Sequence, residues 1–271
     1  MNDIEMIERW LYGRTQNTQD AYLRDFRQAQ QFWGDVKIAS ITLGHLQDYQ
    51  TYLIQQRRLK EASVKRKMNT LGSLLDFACE QEWIPKNPAV RLKTPKVHDR
   101  IHDRILSIEQ VKAIIAAASP GRDRCLVAFT YLTGARISEV CGLLWKDCTD
   151  KPGGGAVARL LGKGDKWRSV KLPPELWREL TEIRSDAPDD ANVFGLKRRQ
   201  AHDIYKTAMQ KADAPKEASA HWLRHSAASH SLEAGAPIHV VRDTLGHASI
   251  QTTDKYLHSS PDESASDYLS L

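Results

Sequence analysis

One stretch near the C-terminal end limits what this chain can be more than any other: HWLRHSAASHSLEAGAPIHVVRDTLGHASIQTTDKY, from His221 to Tyr256. On a helix, His221 and Arg224 fall at i and i+3, so their polar heads project from one face toward one point. Gly235 and Pro237 then punctuate the chain. A second helical pattern runs to Gly246, a residue suited to a helix stop, and places His247 just beyond it, with Tyr256 a short way on. A single histidine or tyrosine is normally structural. The combination of Arg and His donors with a tyrosine is what displacement at a phosphodiester requires: cations for oxygens that gain negative charge, and a nucleophile whose ordinary pKa of about 10 calls for a proton acceptor.

The rest of the composition is compatible with that chemistry. At 271 residues the chain is long enough for two domains, each with its own core. The formal net charge of +5 suits a polyanionic partner without demanding one. Cys79, Cys125, Cys141 and Cys148 have no CxxC spacing and read as reduced, mostly buried thiols of a cytosolic protein. The opening MNDIEMIERW carries acids and no apolar core, which argues against a signal peptide. No apolar run approaches the roughly 18 residues of a membrane span. The expectation is a cytoplasmic, nucleoid-associated protein with no membrane partner.

Three helical stripes occupy the N-terminal third: Tyr22, Phe26, Ala29 and Trp33; then Leu43, Leu46, Tyr49 and Leu53 after a cap at Thr42; then Val64, Met68, Leu71, Leu75 and Ala78. These read as core. Between the second and third stripes, RRLKEASVKRK sets Arg57, Arg58, Lys60, Lys65, Arg66 and Lys67 against the single acid Glu61. A charge run is often only a solvated face, but beside a phosphodiester-cleaving site these six read as candidate DNA phosphate contacts. The segment over 84–104, with its prolines, basic residues and lack of apolar period, reads as a linker.

Past the linker, Ser107 and Gln110 form a capping box, and an apolar helix ends at Gly134. Arg136 and Glu139 follow at i and i+3, which taken alone would be a surface ion pair of little consequence. AVARLL and WRSVKL alternate and are joined by GKGDK, predicting a β-hairpin. Two further amphipathic helices precede the opening stretch, the second beginning at Arg198 and Arg199.

TGARISEVCGLLWKD, the LGKG of the hairpin, HWLRH, LGH and the final tyrosine, in this order, closely resemble the signature of the tyrosine recombinases, the phage integrases and Xer-type site-specific recombinases. The resemblance implies a mainly α, two-domain, C-shaped clamp: a SAM-like core-binding helical domain over 1–95, a linker over 96–106, and over 107–271 a larger α-rich catalytic domain with a small antiparallel β-sheet. It implies that Tyr256 is the nucleophile and leaves a 3′-phosphotyrosyl link. Arg136, Arg224 and His247 would hold the phosphate, His221 would take the tyrosine proton, and Glu139 would orient Arg136. The family lysine that protonates the leaving oxygen maps onto Lys163, with Lys166 as the competing choice. Two fixed guanidiniums replace cations, so no metal and no cofactor are expected. The implied partner is double-stranded DNA carrying an inverted-repeat site, bound by four protomers, alike or of two kinds, joined through the C-terminal tail. One departure is Trp222, where the family often has Asp.

Three rivals stand beside this reading. His221 and His225 at i and i+4 imitate a zinc helix, but Arg224 lies between them and no suitably spaced acid or cysteine accompanies them, so His225, His230 and His258 read as core or supporting residues. A DNA-binding regulator that had lost the chemistry predicts a damaged constellation, whereas every position is filled. A type IB topoisomerase shares the Arg, His and Tyr chemistry, and the GHASIQTTDKYLH box and compact length favour a recombinase.

Overall fold

The computed structural model describes residues 2–97, 101–162, 164–247, 249–254 and 256, and the chain divides into two compact units, Met1–Asp99 and Arg100–Leu271. The first is built from α1 (Asp3–Leu11), α2 (Gln16–Trp33), α3 (Leu43–Gln55) and α4 (Glu61–Glu80). The three expected stripes become α2, α3 and α4. Thr42 caps α3 by accepting the His45 N–H at 3.2 Å. The first helix has too few turns to show a period in the sequence. A reciprocal cap starts it, with Asn2 and Glu5 each accepting the other's backbone N–H. Met6, Trp10, Phe26, Leu46, Leu71 and Leu74 are buried in one core, each such side chain contributing about 1.5–3 kcal/mol.

The basic run is less uniform than its sequence suggests. Arg57, Arg58 and Lys60 are exposed in the turn between α3 and α4, and Lys65 is half-buried. Lys67, read as a phosphate contact, is instead buried in α4, its ammonium 2.8 Å from Asp25 and also bonded to Gln28. Arg66 forks onto the same carboxylate while its side chain stays 53% exposed. Asp25 on α2 is 2% exposed and also accepts from Thr70. A carboxylate buried this deeply requires cations, and the first turns of α4 supply them. Burial pushes the Asp25 carboxyl up, but hydrogen bonds and charge from Arg66 and Lys67 outweigh it and hold it below the ordinary carboxylate range.

The segment expected to be a linker over 84–104 is packed at both ends. Ile84 is buried, and Asn87 caps a 3-10 turn at Pro88–Arg91 while donating to the Gly72 carbonyl, so this part belongs to the first unit. Ile101 and Leu106 are buried in the second unit, where the Leu106 N–H reaches Ser226 at 2.8 Å. The prolines and basic residues conceal these anchors because single buried residues leave no period.

The second unit begins with α5 (Ile108–Ala117), capped by Ser107 and Gln110 as expected, and α6 (Arg122–Thr133), which stops at Gly134 in the left-handed conformation. Then come α7 (Ile137–Gly142), β1 (Cys148–Asp150), β2 (Ala156–Leu161) and β3 (Trp167–Leu172), forming an antiparallel sheet in the order β1-β2-β3. The hairpin falls on the expected residues, with Leu161 opposite Trp167, whereas β1 is too short to be read by alternation. The helices α8 (Pro174–Arg184), α9 (Arg198–Lys211), α10 (Ala220–Glu233), α11 (Ile238–Leu245) and α12 (Ile250–Asp254) complete the unit. Leu126, Phe129, Trp145, Leu160, Tyr205 and Leu223 tie helices and sheet into its main core, and Trp222 packs against it. The architecture is mainly helical with one small antiparallel sheet, and no helix among the described residues is long and apolar enough to cross a membrane.

Because Lys67 and Asp25 are mutually dependent, Asp25→Ala is expected to destabilise the chain by about 3–5 kcal/mol by leaving a buried ammonium unpaired. Double replacement, Asp25→Leu with Lys67→Met, should recover much of that loss. Urea denaturation followed by circular dichroism measures both; equal losses in the single and double variants would contradict the account.

Candidate active site

The site is assembled from the ends of elements. Arg136 is the residue before the first turn of α7, in extended conformation, and its backbone N–H donates to Glu139 Oε2 at 2.7 Å. The i and i+3 relation is therefore a helix cap, with Glu139 reaching back. Glu139 is no surface residue: its side chain is 2% exposed, and its Oε1 also accepts from Arg136 Nη1 at 2.9 Å. Sequence reading missed its other partner. Arg168 on β3 donates Nη1 to Oε1 at 2.8 Å and Nη2 to Oε2 at 2.7 Å. Burial would raise the Glu139 pKa, but the Arg168 and Arg136 hydrogen bonds prevail and keep the carboxylate ionised. The signal for Arg168 was in the strand alternation: Arg168, Val170 and Leu172 share one face of WRSVKL, and a cation on an apolar face calls for a buried partner.

Arg224 sits within α10 and is 3% exposed. Its guanidinium donates to Gly134 O, at the C-terminal end of α6, and through Nη2 to Leu245 O at 2.7 Å, at the C-terminal end of α11. Carbonyls left over at two helix ends are thus satisfied by one fork, where the helix dipoles also favour a cation. Gly134 is required for this approach: at φ +60° a Cβ there would lie 2.4 Å from Leu245 Cδ2. Burial, then the charge of Arg136, lowers the Arg224 pKa to about 10, which leaves it charged at neutral pH.

Gly246 ends α11 in the left-handed conformation, and His247 follows with its Nδ1 2.9 Å from Thr253 Oγ1. Burial first, then Arg224 and Arg136, push the His247 pKa down to about 4, so its imidazole is neutral at pH 7. The first residues of α10 add His221, whose pKa is also lowered by burial and by Arg224, Arg136 and Arg104. Arg136, Lys166, Trp167, Arg168, Gly246 and His247 line one cleft of about 750 Å³. Lys163 lies outside the described residues, as do His258 and the C-terminal tail read as a docking segment.

Tyr256 is 2% exposed, set in a small apolar cluster with Ile101, Ala228, Val241 and Leu245. Its hydroxyl is 2.6 Å from Nδ1 of His225, and its ring is stacked 6.4 Å from that of His247. Thus the histidine beside the tyrosine hydroxyl is His225, expected to be a core or supporting residue. The ring of His221 lies 6.3 Å from that of His225. His230 takes a structural role, bonded to Tyr131 at 2.9 Å. Among the described residues no group of three or more His, Cys, Asp and Glu is placed to hold a metal ion.

The depressed histidines give stability a pH dependence of definite sign. His247 has a folded pKa of about 4, against about 6.5 in an unfolded chain. The unfolded state therefore binds its proton first, and stability is full above pH 6.5 and falls toward pH 4. Urea midpoints measured across that window should decline, and His247→Gln should flatten the slope; an unchanged slope in the variant would refute the assignment.

Comparison with known proteins shows the family to which the chain belongs. The profile of the phage integrase family matches residues 104–263, and that of the phage integrase SAM-like domain matches residues 5–94. The chain is 31% identical over 270 residues to the tyrosine recombinase XerC of Mycobacterium bovis (strain BCG / Pasteur 1173P2), covering 91% of this chain and 89% of that protein. It is likewise 31% identical over 267 residues to the tyrosine recombinase XerD of Staphylococcus epidermidis, with the same 91% and 89% coverage. Among solved structures, a lambda integrase tetramer bound to a Holliday junction shares the fold with a TM-score of 0.76 at 18% identity, over 98% of this chain and 80% of that one. The chain belongs to the phage integrase family of tyrosine recombinases.

Proposed function

We propose that the protein cleaves and rejoins DNA strands at a specific site, with Tyr256 attacking a backbone phosphate to form a 3′-phosphotyrosyl link and release a 5′-hydroxyl. The observation that carries this reading is the convergence of Arg136, Arg224, His247 and Tyr256 from four separate parts of the second unit. One phosphoester replaces another, so bond energy is conserved and no ATP is needed, and two guanidiniums take the place of metal cations at the phosphate. A 5′-hydroxyl from a second duplex then attacks the phosphotyrosine. A first, reciprocal pair of such exchanges gives a Holliday junction, and a second pair resolves it.

In this reading Arg136 and Arg224 neutralise the non-bridging oxygens, the role in which preorganised cations are most effective. A neutral His247 whose Nδ1 accepts from Thr253 presents Nε2–H as a further donor. Lys163 protonates the leaving 5′-oxygen, with Lys166 as the competing donor. For the base, the geometry adds His225 to His221, since His225 is the histidine within hydrogen-bond reach of the Tyr256 hydroxyl. Tyr256 is covered in the described conformation, so a phosphate reaches its hydroxyl only after the segment that carries it shifts.

The domain roles follow from the same reading: the helical unit near residues 1–95 binds DNA, with Arg57, Arg58, Lys60 and Lys65 as its phosphate contacts, and residues 107–271 catalyse. Duplex DNA with inverted-repeat arms would assemble four protomers through the C-terminal tail, a heterologous contact that closes into a ring. The lambda integrase tetramer on a Holliday junction supports the stoichiometry. Such a protein works in the cytoplasm, at the nucleoid, in chromosome resolution or in movement of a mobile element.

A nicked suicide substrate drawn from a genomic library, incubated in EDTA without ATP and run on a denaturing gel, should yield a covalent protein–DNA band with the wild type and none with Tyr256→Phe. His225→Gln and His221→Gln are each compared in the same assay. The true base should lower the cleavage rate by about 10²–10⁴-fold and the other much less. Tight DNA binding with no band on any substrate would instead favour a regulator.

A further inference from the structure

We propose that Arg168 is a positioning residue for strand cleavage, holding Arg136 and the α11 turn that bears Leu245, Gly246 and His247 in the arrangement the scissile phosphate requires. This rests on the recombinase reading above and assigns a role to a cation outside the signature motifs.

The pleat of β3 places Arg168 on the inward face with Val170 and Leu172, and its side chain is only 10% exposed. All three guanidinium nitrogens are engaged with protein acceptors. Nη1 and Nη2 fork onto the two oxygens of Glu139, and Nε donates to Thr244 O at 2.7 Å. The two acceptors belong to different elements, α7 and α11. Glu139 also holds the backbone N–H and Nη1 of Arg136, whereas Thr244 directly precedes Leu245, whose carbonyl receives Arg224. Gly246 comes so close that a Cβ there would lie 3.0 Å from Arg168 Cδ.

The consequence is a competition for Glu139. A carboxylate accepts a guanidinium best as a two-pronged fork. With Arg168 occupying that geometry, the Arg136 guanidinium is bonded to Glu139 through Nη1 alone and its side chain remains 31% exposed along the cleft. Without Arg168, Glu139 is free to take Arg136 in the two-pronged mode and draw it away from the phosphate. The Thr244 carbonyl would also lose its donor, loosening the turn that presents His247. Lysine cannot substitute, because a single ammonium does not reach both Glu139 oxygens and Thr244 in the geometry of a planar fork.

The test is single-turnover cleavage by the full chain of a nicked site substrate, prepared with either a normal phosphodiester or an uncharged methylphosphonate at the scissile position. Arg168→Gln is expected to slow cleavage of the phosphodiester by about a hundredfold, the scale of losing one preorganised oxyanion donor, with DNA affinity changed less than about threefold. On the methylphosphonate, whose reaction has less charge for Arg136 to neutralise, the deficit relative to wild type should shrink at least tenfold. Arg168→Lys should behave like Arg168→Gln, and it keeps the test open should the glutamine variant fail to fold. Variants within about threefold of wild type on the phosphodiester, or equally impaired on both substrates, would overturn the proposal, the second result marking a merely structural role. A wild-type protein that forms no adduct on any site would overturn the recombinase reading and this inference together.

Discussion

Everything at the site depends on one buried carboxylate and one helix end that between them receive three guanidiniums. Glu139 takes Arg136 and Arg168, and the last carbonyls of α11 take Arg168 and Arg224. Burial of a guanidinium is costly, and repulsion among three like charges adds to that cost, as the lowered pKa of Arg224 reflects. Glu139 and the ordered backbone carbonyls offset it in the free protein. Such an assembly is rigid because each fork has fixed acceptors, and it remains net positive.

Placing polar groups at element ends rather than on element faces explains how the fold tolerates so much buried charge. Helix termini leave carbonyls without intrahelical partners, and Gly134 and Gly246 in left-handed conformation turn the chain so that those carbonyls point toward an arginine. The first unit solves the same problem differently, grouping Asp25, Arg66, Lys67 and Thr70 across α2 and α4. There one buried carboxylate is matched by a buried ammonium and a half-exposed guanidinium; in the second unit the cations stand in excess beside a cleft.

The tyrosine occupies a different environment from the arginines. Tyr256 is enclosed by apolar residues, bonded to His225 and stacked against His247. The described arrangement keeps the hydroxyl protected from solvent while it already has a potential proton acceptor. In the proposed reaction, access of a phosphate to Tyr256 would thereby be separate from the electrostatics that Arg136 and Arg224 offer it.

Local pattern sufficed for the helices with several turns, the caps at Thr42 and Ser107, the hairpin strands, and the order of Arg136, His221, Arg224, His247 and Tyr256 along the chain, because each of these leaves a periodic or spaced signal within a few residues. Three features depended on distant partners, and for only one of them, Arg168 on the apolar face of β3, did the local pattern hint at a buried partner. Lys67 looked like its basic neighbours, and only the approach of α2 buried it against Asp25. Arg168 was one more charge in a hairpin until β3 met α7 and α11. His225 resembled a core residue until the fold set Tyr256 against its ring. Spacing fixes which side chains share a face of one element; which groups meet across elements, and which cations are neutralised or left to face the cleft, is decided by packing between segments far apart in sequence.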